Sequence, residues 1–253
     1  MAYGTIIYES RGPVGVLSLN RPECLNAVNV AMSQELNRFL LERLEDLETR
    51  VMILTGAGRG FCAGLDMKET MTNIPPGGYL PKLAYERQRS FSELILLMRK
   101  IPQPIIAAVN GPAAGAGFSF ALACDVRYAA TEAKFSAAYI NIGVGGADMG
   151  SSWLFPRAVG TANAARYLLT GDLFGAEESL RIGMVQAIFD KEKLLEEAMK
   201  LAQTMAGKSP LGLRLTKEAL DRNTGCATLE DAIRLEDRNQ AMCISQLTLS
   251  SGR

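Results

Sequence analysis

Asn110-Gly-Pro-Ala-Ala-Gly-Ala-Gly-Phe-Ser119 follows the apolar run Ile105 to Val109 and opens into Phe118 to Cys124. A strand that enters a glycine-rich turn and leaves as a helix aims the helix's unpaired N–H groups at whatever stands before the turn, at an end carrying about half a positive charge. Gly115, Ala116 and Gly117 carry at most a methyl group, so a ligand can reach the backbone itself. Taken alone, the stretch is equally compatible with close strand-to-helix packing.

A second turn of the same kind lies upstream. Thr55-Gly-Ala-Gly-Arg-Gly-Phe-Cys-Ala-Gly-Leu-Asp66 follows the buried-type strand Val51 to Leu54. Two N–H groups that converge on one oxygen from rigid turns are what a developing oxyanion requires. The pair resembles the two oxyanion segments of the crotonase (enoyl-CoA hydratase/isomerase) superfamily, and the resemblance runs from about Ile6 to about Asn223. It implies that the N–H groups of Ala63 and Ala116 hold the thioester carbonyl oxygen of an acyl-CoA, with Gly64, Leu65, Asp66, Met67 and Gly115 around the bound substrate, although Asp66 taken by itself reads rather as a holder of loop backbone. It implies too that Arg21-Pro-Glu-Cys-Leu-Asn-Ala27 wraps the CoA nucleotide, with Cys24, Leu25 and Ala27 lining its pantetheine and adenine.

Composition narrows the chemistry. With 253 residues, 48% of them hydrophobic, the chain can bury a sizeable core. Lys plus Arg and Asp plus Glu both number 27, so no global field favours nucleic acid or an anionic membrane. The five cysteines, Cys24, Cys62, Cys124, Cys226 and Cys243, are dispersed without a C-x-x-C pair, which reads as small buried residues in a reducing compartment. The N-terminal stretch shows neither a secretory signal nor a transit peptide, and a cytoplasmic location is expected. Ile101 to Cys124 is uncharged, but its prolines and glycines break it into strand, turn and helix rather than a membrane span. The histidine count is zero. That removes Ser-His-Asp and Cys-His catalysis and H-E-x-x-H metal sites, and leaves acid–base work to Asp, Glu, Tyr, Lys or water.

Read in order, Thr5–Glu9 and Val14–Leu19 form a hairpin, followed by a loop and a helix whose apolar face is Met32, Leu36, Phe39, Leu40, Leu44 and Leu47. Pro75-Pro-Gly-Gly78 reads as a loop able to cover an acyl pocket, or as a plain connection. Leu83–Lys100 is helical with Phe91, Leu94, Ile95, Leu97 and Met98 inward. Asp125–Ala130, Lys134–Ser136 and Met184–Phe189 read as strands, and a helix opens at about Met149 after a glycine-rich loop. Further helices cover 162–169, 176–182, 192–206, 211–222 and 228–247. The fold class is α/β, with 1–190 as the core carrying the site and 191–253 as a helical region. The resemblance implies a spiral of stacked ββα units with a C-terminal trimerisation region, and a homotrimer or hexamer.

Hydratases of that family carry two glutamates, one three residues after the second donor and one about twenty further on. In register, these places hold Ser119 and Tyr139. The nearby acid is Asp148, placed from Gly160 where relatives carry a proton-shuttling or nucleophilic aspartate; that role is favoured over, and compatible with, an N-cap for the helix at Met149. The function expected is action on an unsaturated acyl-CoA, with isomerisation favoured over two-glutamate hydration. No metal or separate cofactor is expected, coenzyme A being part of the substrate. A non-catalytic acyl-CoA-binding protein and a dehalogenase-like or hydrolytic enzyme using Asp148 as nucleophile are the rival readings. A dinucleotide site fails for want of a G-x-G-x-x-G with its downstream acid.

Overall fold

The computed structural model describes residues 3–72, 74, 75 and 77–251, so Pro76 of the Pro75–Gly78 loop lies outside the described residues. Strands β1 (Ile6–Arg11) and β2 (Val14–Leu19) pair antiparallel as the expected hairpin. Helix α1 (Val30–Arg43) begins at Asn29, whose side chain accepts from Met32 N at 2.9 Å. Its inward residues are Met32, Leu36, Phe39 and Leu40. The helix stops before Leu47, which is 72% exposed. Asp46 is the cause, because its carboxylate accepts from the Glu48 and Thr49 N–H groups and offers the backbone a turn in place of another helical round.

Next come β3 (Val51–Gly56), α2 (Met67–Thr72), α3 (Pro81–Lys100), β4 (Ile105–Val109), β5 (Ala113–Ala114) and α4 (Ala116–Ala123). Helix α2 occupies a stretch expected to be loop, and Asp66 starts it by accepting from Glu69 N at 3.1 Å. Helix α3 buries Phe91, Leu94, Ile95, Leu97 and Met98, as their spacing requires. The uncharged stretch Ile101 to Cys124 is divided among β4, β5 and α4, and no described helix is long and apolar enough to cross a membrane. The chain continues through β6 (Val126–Ala130), β7 (Lys134–Ser136), α5 (Ser151–Val159), α6 (Thr161–Thr170), β8 (Phe174–Gly175), α7 (Ala176–Arg181), β9 (Ala187–Phe189) and α8 (Lys191–Ala206). It ends in α9 (Pro210–Asn223) and α10 (Leu229–Ser251).

The main sheet has the order β1-β2-β3-β4-β6-β9 and is parallel beyond its first hairpin; β5-β7-β8 form a second, smaller sheet. Single bridges, Cys62 with Ala113 and Val28 with Leu65, carry the upstream turn into that second layer. Each of β3, β4 and β6 therefore runs through the main sheet and returns through the second layer, at Cys62, β5 and β7 respectively. This is the recurring two-strand unit of a spiral. All five residues of β4 are buried, as a parallel strand covered on both faces must be.

One apolar cluster fills the space between the sheets and α1, α3, α4 and α5; a second lies on the opposite face, where Leu194, Ala198, Ala202 and Ala206 of α8 meet Val16, Ile53, Ile106 and Ala108. Helix α8, grouped by sequence with the C-terminal region, packs on the core. The helices that leave the core are α9 and α10. Ser209 caps α9 by accepting from Gly212 N, with Pro210 at the first position. Lys217 ties α9 back: its buried ammonium reaches Asp125 Oδ2 at 3.2 Å and donates to the carbonyls of Met98 and Gln103. Helices α9 and α10 enclose a groove of about 910 Å³ lined by Leu215, Leu220, Cys243 and Leu247 among others. Cys62 and Cys124 are fully buried, with thiols pushed up to about 12 by desolvation. Contrary to the reading of all five as buried, Cys24 and Cys243 are half-buried and Cys226 is exposed, the last because it sits in the short turn between α9 and α10.

Candidate active site

The two glycine-rich turns are fastened to each other along their backbones. Phe61 N and Cys62 N both donate to Pro112 O, at 3.1 and 3.0 Å, and Ala114 N donates to Cys62 O at 2.9 Å. Two buried asparagines act as staples. Asn110 Nδ2 donates to Gly56 O at 2.8 Å and also reaches the carbonyls of Gly58 and Gly60; Asn26 Nδ2 donates to the carbonyls of Ala57, Gly60 and Phe61. The Asn of the Arg21 to Ala27 motif thus works on the upstream turn. A Cβ at Gly117 would run into the Cys62 carbonyl, so glycine is demanded there by the close approach of the turns.

At the start of α4, Ala116 occupies the first helical position behind Gly115, and its N–H has no acceptor among the described residues. The expected partner donor, Ala63, is not free: its N–H donates to Leu25 O at 2.9 Å. The neighbouring bridge explains where the free donor lies. Val28 pairs with Leu65 through Gly64 O and Asp66 N, so Leu65's own N–H points to the other side, away from Val28. It too lacks an acceptor among the described residues. Gly64 adjoins the Ala116 turn, for a Cβ built on it would stand 3.7 Å from Ala116 N. Among the described residues, the unpaired donors of the two adjoining turns are therefore those of Leu65 and Ala116.

Ser119, one turn into α4, is fully buried; its Oγ lies 2.5 Å from the hydroxyl of Tyr139 and 3.2 Å from Asp148 O. Tyr139 Oη donates to Gly115 O at 2.7 Å. Burial drives the phenol's pKa upward, and it stays protonated at any ordinary pH. Asp148 does not cap a helix. Met149 takes φ +46° and Gly150 is the N-cap of α5, so the helix opens at Ser151, two residues later than expected. The Asp148 carboxylate receives two bonds on Oδ1, from Met149 N at 2.6 Å and from Gln88 Nε2 at 2.5 Å, and none on Oδ2 among the described residues. Its burial raises the carboxyl above its ordinary value, the bond from Met149 N opposing in part. Gln88, on an exposed face of α3, carries no sequence signal for this contact. Trp153 is 53% exposed and sits under the Arg157 guanidinium, 3.2 Å from its ring centroid.

The residues expected to line the substrate divide into two kinds. Leu25 O, Ala27 O and Asp66 are engaged in holding the loops: Arg21 donates to Ala27 O at 2.6 Å and to Asp66 Oδ2 at 2.9 Å. Burial pushes the Asp66 carboxyl up, but the bond from Glu69 N and the Arg21 guanidinium outweigh it, and Asp66 lies below its ordinary value. Cys24, half-buried, donates from Sγ to Arg21 O. Met67 is exposed beside the turn.

The fold is thus a spiral of two-strand units with unpaired backbone N–H groups at Leu65 and Ala116, among the described residues, and a half-buried carboxylate at Asp148. The family model described as enoyl-CoA hydratase/isomerase matches residues 9–253, and the chain belongs to that family, within the crotonase superfamily. It is 40% identical over 232 residues to a probable enoyl-CoA hydratase of Mycobacterium leprae, covering 91% of this chain and 79% of that protein. It is 40% identical over 223 residues to the 1,2-epoxyphenylacetyl-CoA isomerase of Escherichia coli, covering 88% and 84%. Among solved structures, a probable enoyl-CoA hydratase/isomerase from Mycobacterium abscessus superposes with a TM-score of 0.86 at 36% identity, over 94% of this chain and 90% of that one.

Proposed function

We propose that this enzyme isomerises a double bond in an unsaturated acyl-CoA. The observation that carries the reading is the Asp148 carboxylate, which is held on Oδ1 by Met149 N and Gln88 Nε2 and has no partner on Oδ2 among the described residues, on a residue whose main-chain carbonyl meets Ser119 Oγ at 3.2 Å. The thioester carbonyl oxygen accepts from Leu65 N and Ala116 N. Asp148 Oδ2 takes a proton from the carbon next to the double bond, the C–H electron pair moves into the chain, and negative charge collects on the thioester oxygen, where the two donors hold it. The same carboxyl then returns its proton at the far end of the allylic system. Atoms balance with one carboxylate. Hydration needs one group to activate water and another to protonate the α-carbon. Ser119 and Tyr139 supply neither, being protonated and bonded to each other and to the main chain. Similarity to a solved monofunctional enoyl-CoA isomerase of Mycobacterium smegmatis, 36% identical with a TM-score of 0.75, supports the same reading.

Self-association through the C-terminal helices belongs to this proposal. Leu229, Ile233, Met242 and Ile244 of α10 are exposed, an apolar surface that a second copy would cover.

The test of the oxyanion assignment is Ala116→Pro. Position 116 is the first of α4, where proline fits the helix; it removes the N–H and sets the ring's Cδ in its place. Turnover is expected to fall about 10²–10³-fold. A folded variant as active as the parent overturns the assignment.

A further inference from the structure

We propose that Tyr139 is a positioning residue for the oxyanion site, its hydroxyl holding and polarising the peptide unit whose other end is the Ala116 N–H. The inference rests on the assignment of Ala116 as a donor to the thioester oxygen. The Gly115 carbonyl and the Ala116 N–H belong to one planar amide. Tyr139 Oη donates to that carbonyl at 2.7 Å and Ser119 N at 3.0 Å, which fills both of its lone pairs. Bonds accepted at the carbonyl draw density from the amide and strengthen the N–H as a donor. They also hold the plane. Gly115, at φ +51° and ψ −120°, is the residue with the most freedom to let it swing.

Two hydroxyl protons serve three contacts here. When Tyr139 donates to Gly115 O, its oxygen accepts from Ser119 Oγ, and these are the two shorter contacts, 2.7 and 2.5 Å, against 3.2 Å from Ser119 Oγ to Asp148 O. Ser119 thereby aims the phenol. Where the resemblance places two glutamates that act on water, this chain carries a buried hydroxyl pair that acts on the oxyanion peptide.

The experiment reads the thioester carbonyl stretch of a bound saturated acyl-CoA, ¹³C-labelled at C1, by difference infrared spectroscopy. Parent enzyme should shift the band to lower frequency. Tyr139→Phe should shift it less and lower kcat about two- to eightfold at nearly unchanged KM, the range given by a 10–30% change in one donor's worth. Site-specific 3-fluorotyrosine at 139, a stronger donor of the same shape, should shift the band further than the parent and keeps the test available if the phenylalanine variant fails to fold. An unaltered band in either folded variant, against a shifted parent, overturns the inference. A parent band that does not move on binding overturns the oxyanion assignment itself, and this inference with it.

Discussion

Asp148→Asn removes the titrating group and keeps an oxygen where Oδ1 stands, so the bonds from Met149 N and Gln88 Nε2, at 2.6 and 2.5 Å, persist. The loop and the start of α5 should hold their shape. What disappears is proton transfer, typically worth about 10²–10⁴ in rate, or about 2.7–5.4 kcal/mol of barrier. The assay follows conversion of a β,γ-unsaturated acyl-CoA to its conjugated isomer by ultraviolet absorbance. The expected result is a loss in kcat of that size with KM within about twofold. Burial raises the Asp148 carboxyl, so the acidic limb of the parent's kcat/KM profile should lie above the ordinary aspartate range, and the variant should lose it. The stability sign follows from the same shift. A carboxyl raised in the folded state contributes stability that is full below its unfolded value and lost as pH climbs through its folded value. Where Asp148 is ionised it costs stability, and at such a pH the asparagine variant should melt no lower than the parent. An asparagine variant that isomerises within about twofold of the parent, with the same acidic limb, would refute the reasoning.

Gly117→Ala should separate the two turns, because its Cβ meets the Cys62 carbonyl; about 1–3 kcal/mol of destabilisation is expected, read as a lowered Tm together with weakened turnover. Hydration of crotonyl-CoA should run at least about 10²-fold slower than isomerisation, since the second acid–base group is missing; a fast hydration rate would show another carboxylate in both roles. Sedimentation at micromolar concentration should show an oligomer, and charged residues at Ile233 and Met242 should dissociate it; a parent that sediments as a monomer rejects the association.

Much of the fold was legible because local pattern and tertiary demand coincide. The spacing of Phe91, Leu94, Ile95, Leu97 and Met98 and the uninterrupted apolar run Ile105–Val109 each have one economical packing, and the structure adopts it. Leu47 was misread because a turn built on Asp46 competes with the helix, an effect that hydrophobic spacing does not register. The site was legible to within two residues at its first donor. Ala63 and Leu65 have the same backbone chemistry, and only their pairing with a distant segment decides between them: Leu25 O consumes the Ala63 N–H, and the bridge to Val28, across 37 positions of chain, turns the Leu65 N–H away. Asp148 failed as a helix cap for a related reason. The left-handed turn at Met149 delays α5 and frees the carboxylate from capping, and a methionine there gives no warning of positive φ.

The staple at Asn110 has a consequence for how the enzyme ages. Asparagine followed by glycine, here Asn110-Gly111, is the dipeptide at which backbone attack on the side-chain amide and loss of ammonia proceed most easily, and asparagine is a thermolabile residue. In the folded chain the Asn110 amide is buried and its nitrogen donates to the Gly56, Gly58 and Gly60 carbonyls, so the attack geometry is closed off. The aspartate that deamidation would leave has no N–H groups to give, and its charge would face three carbonyl oxygens. Chemical damage at this position thus accumulates only in molecules that have opened, and once it occurs they cannot rebuild the joint between the two turns. Each excursion from the native state carries a chance of becoming permanent, and the fraction of Asn110 converted in an old preparation records how often its molecules have unfolded.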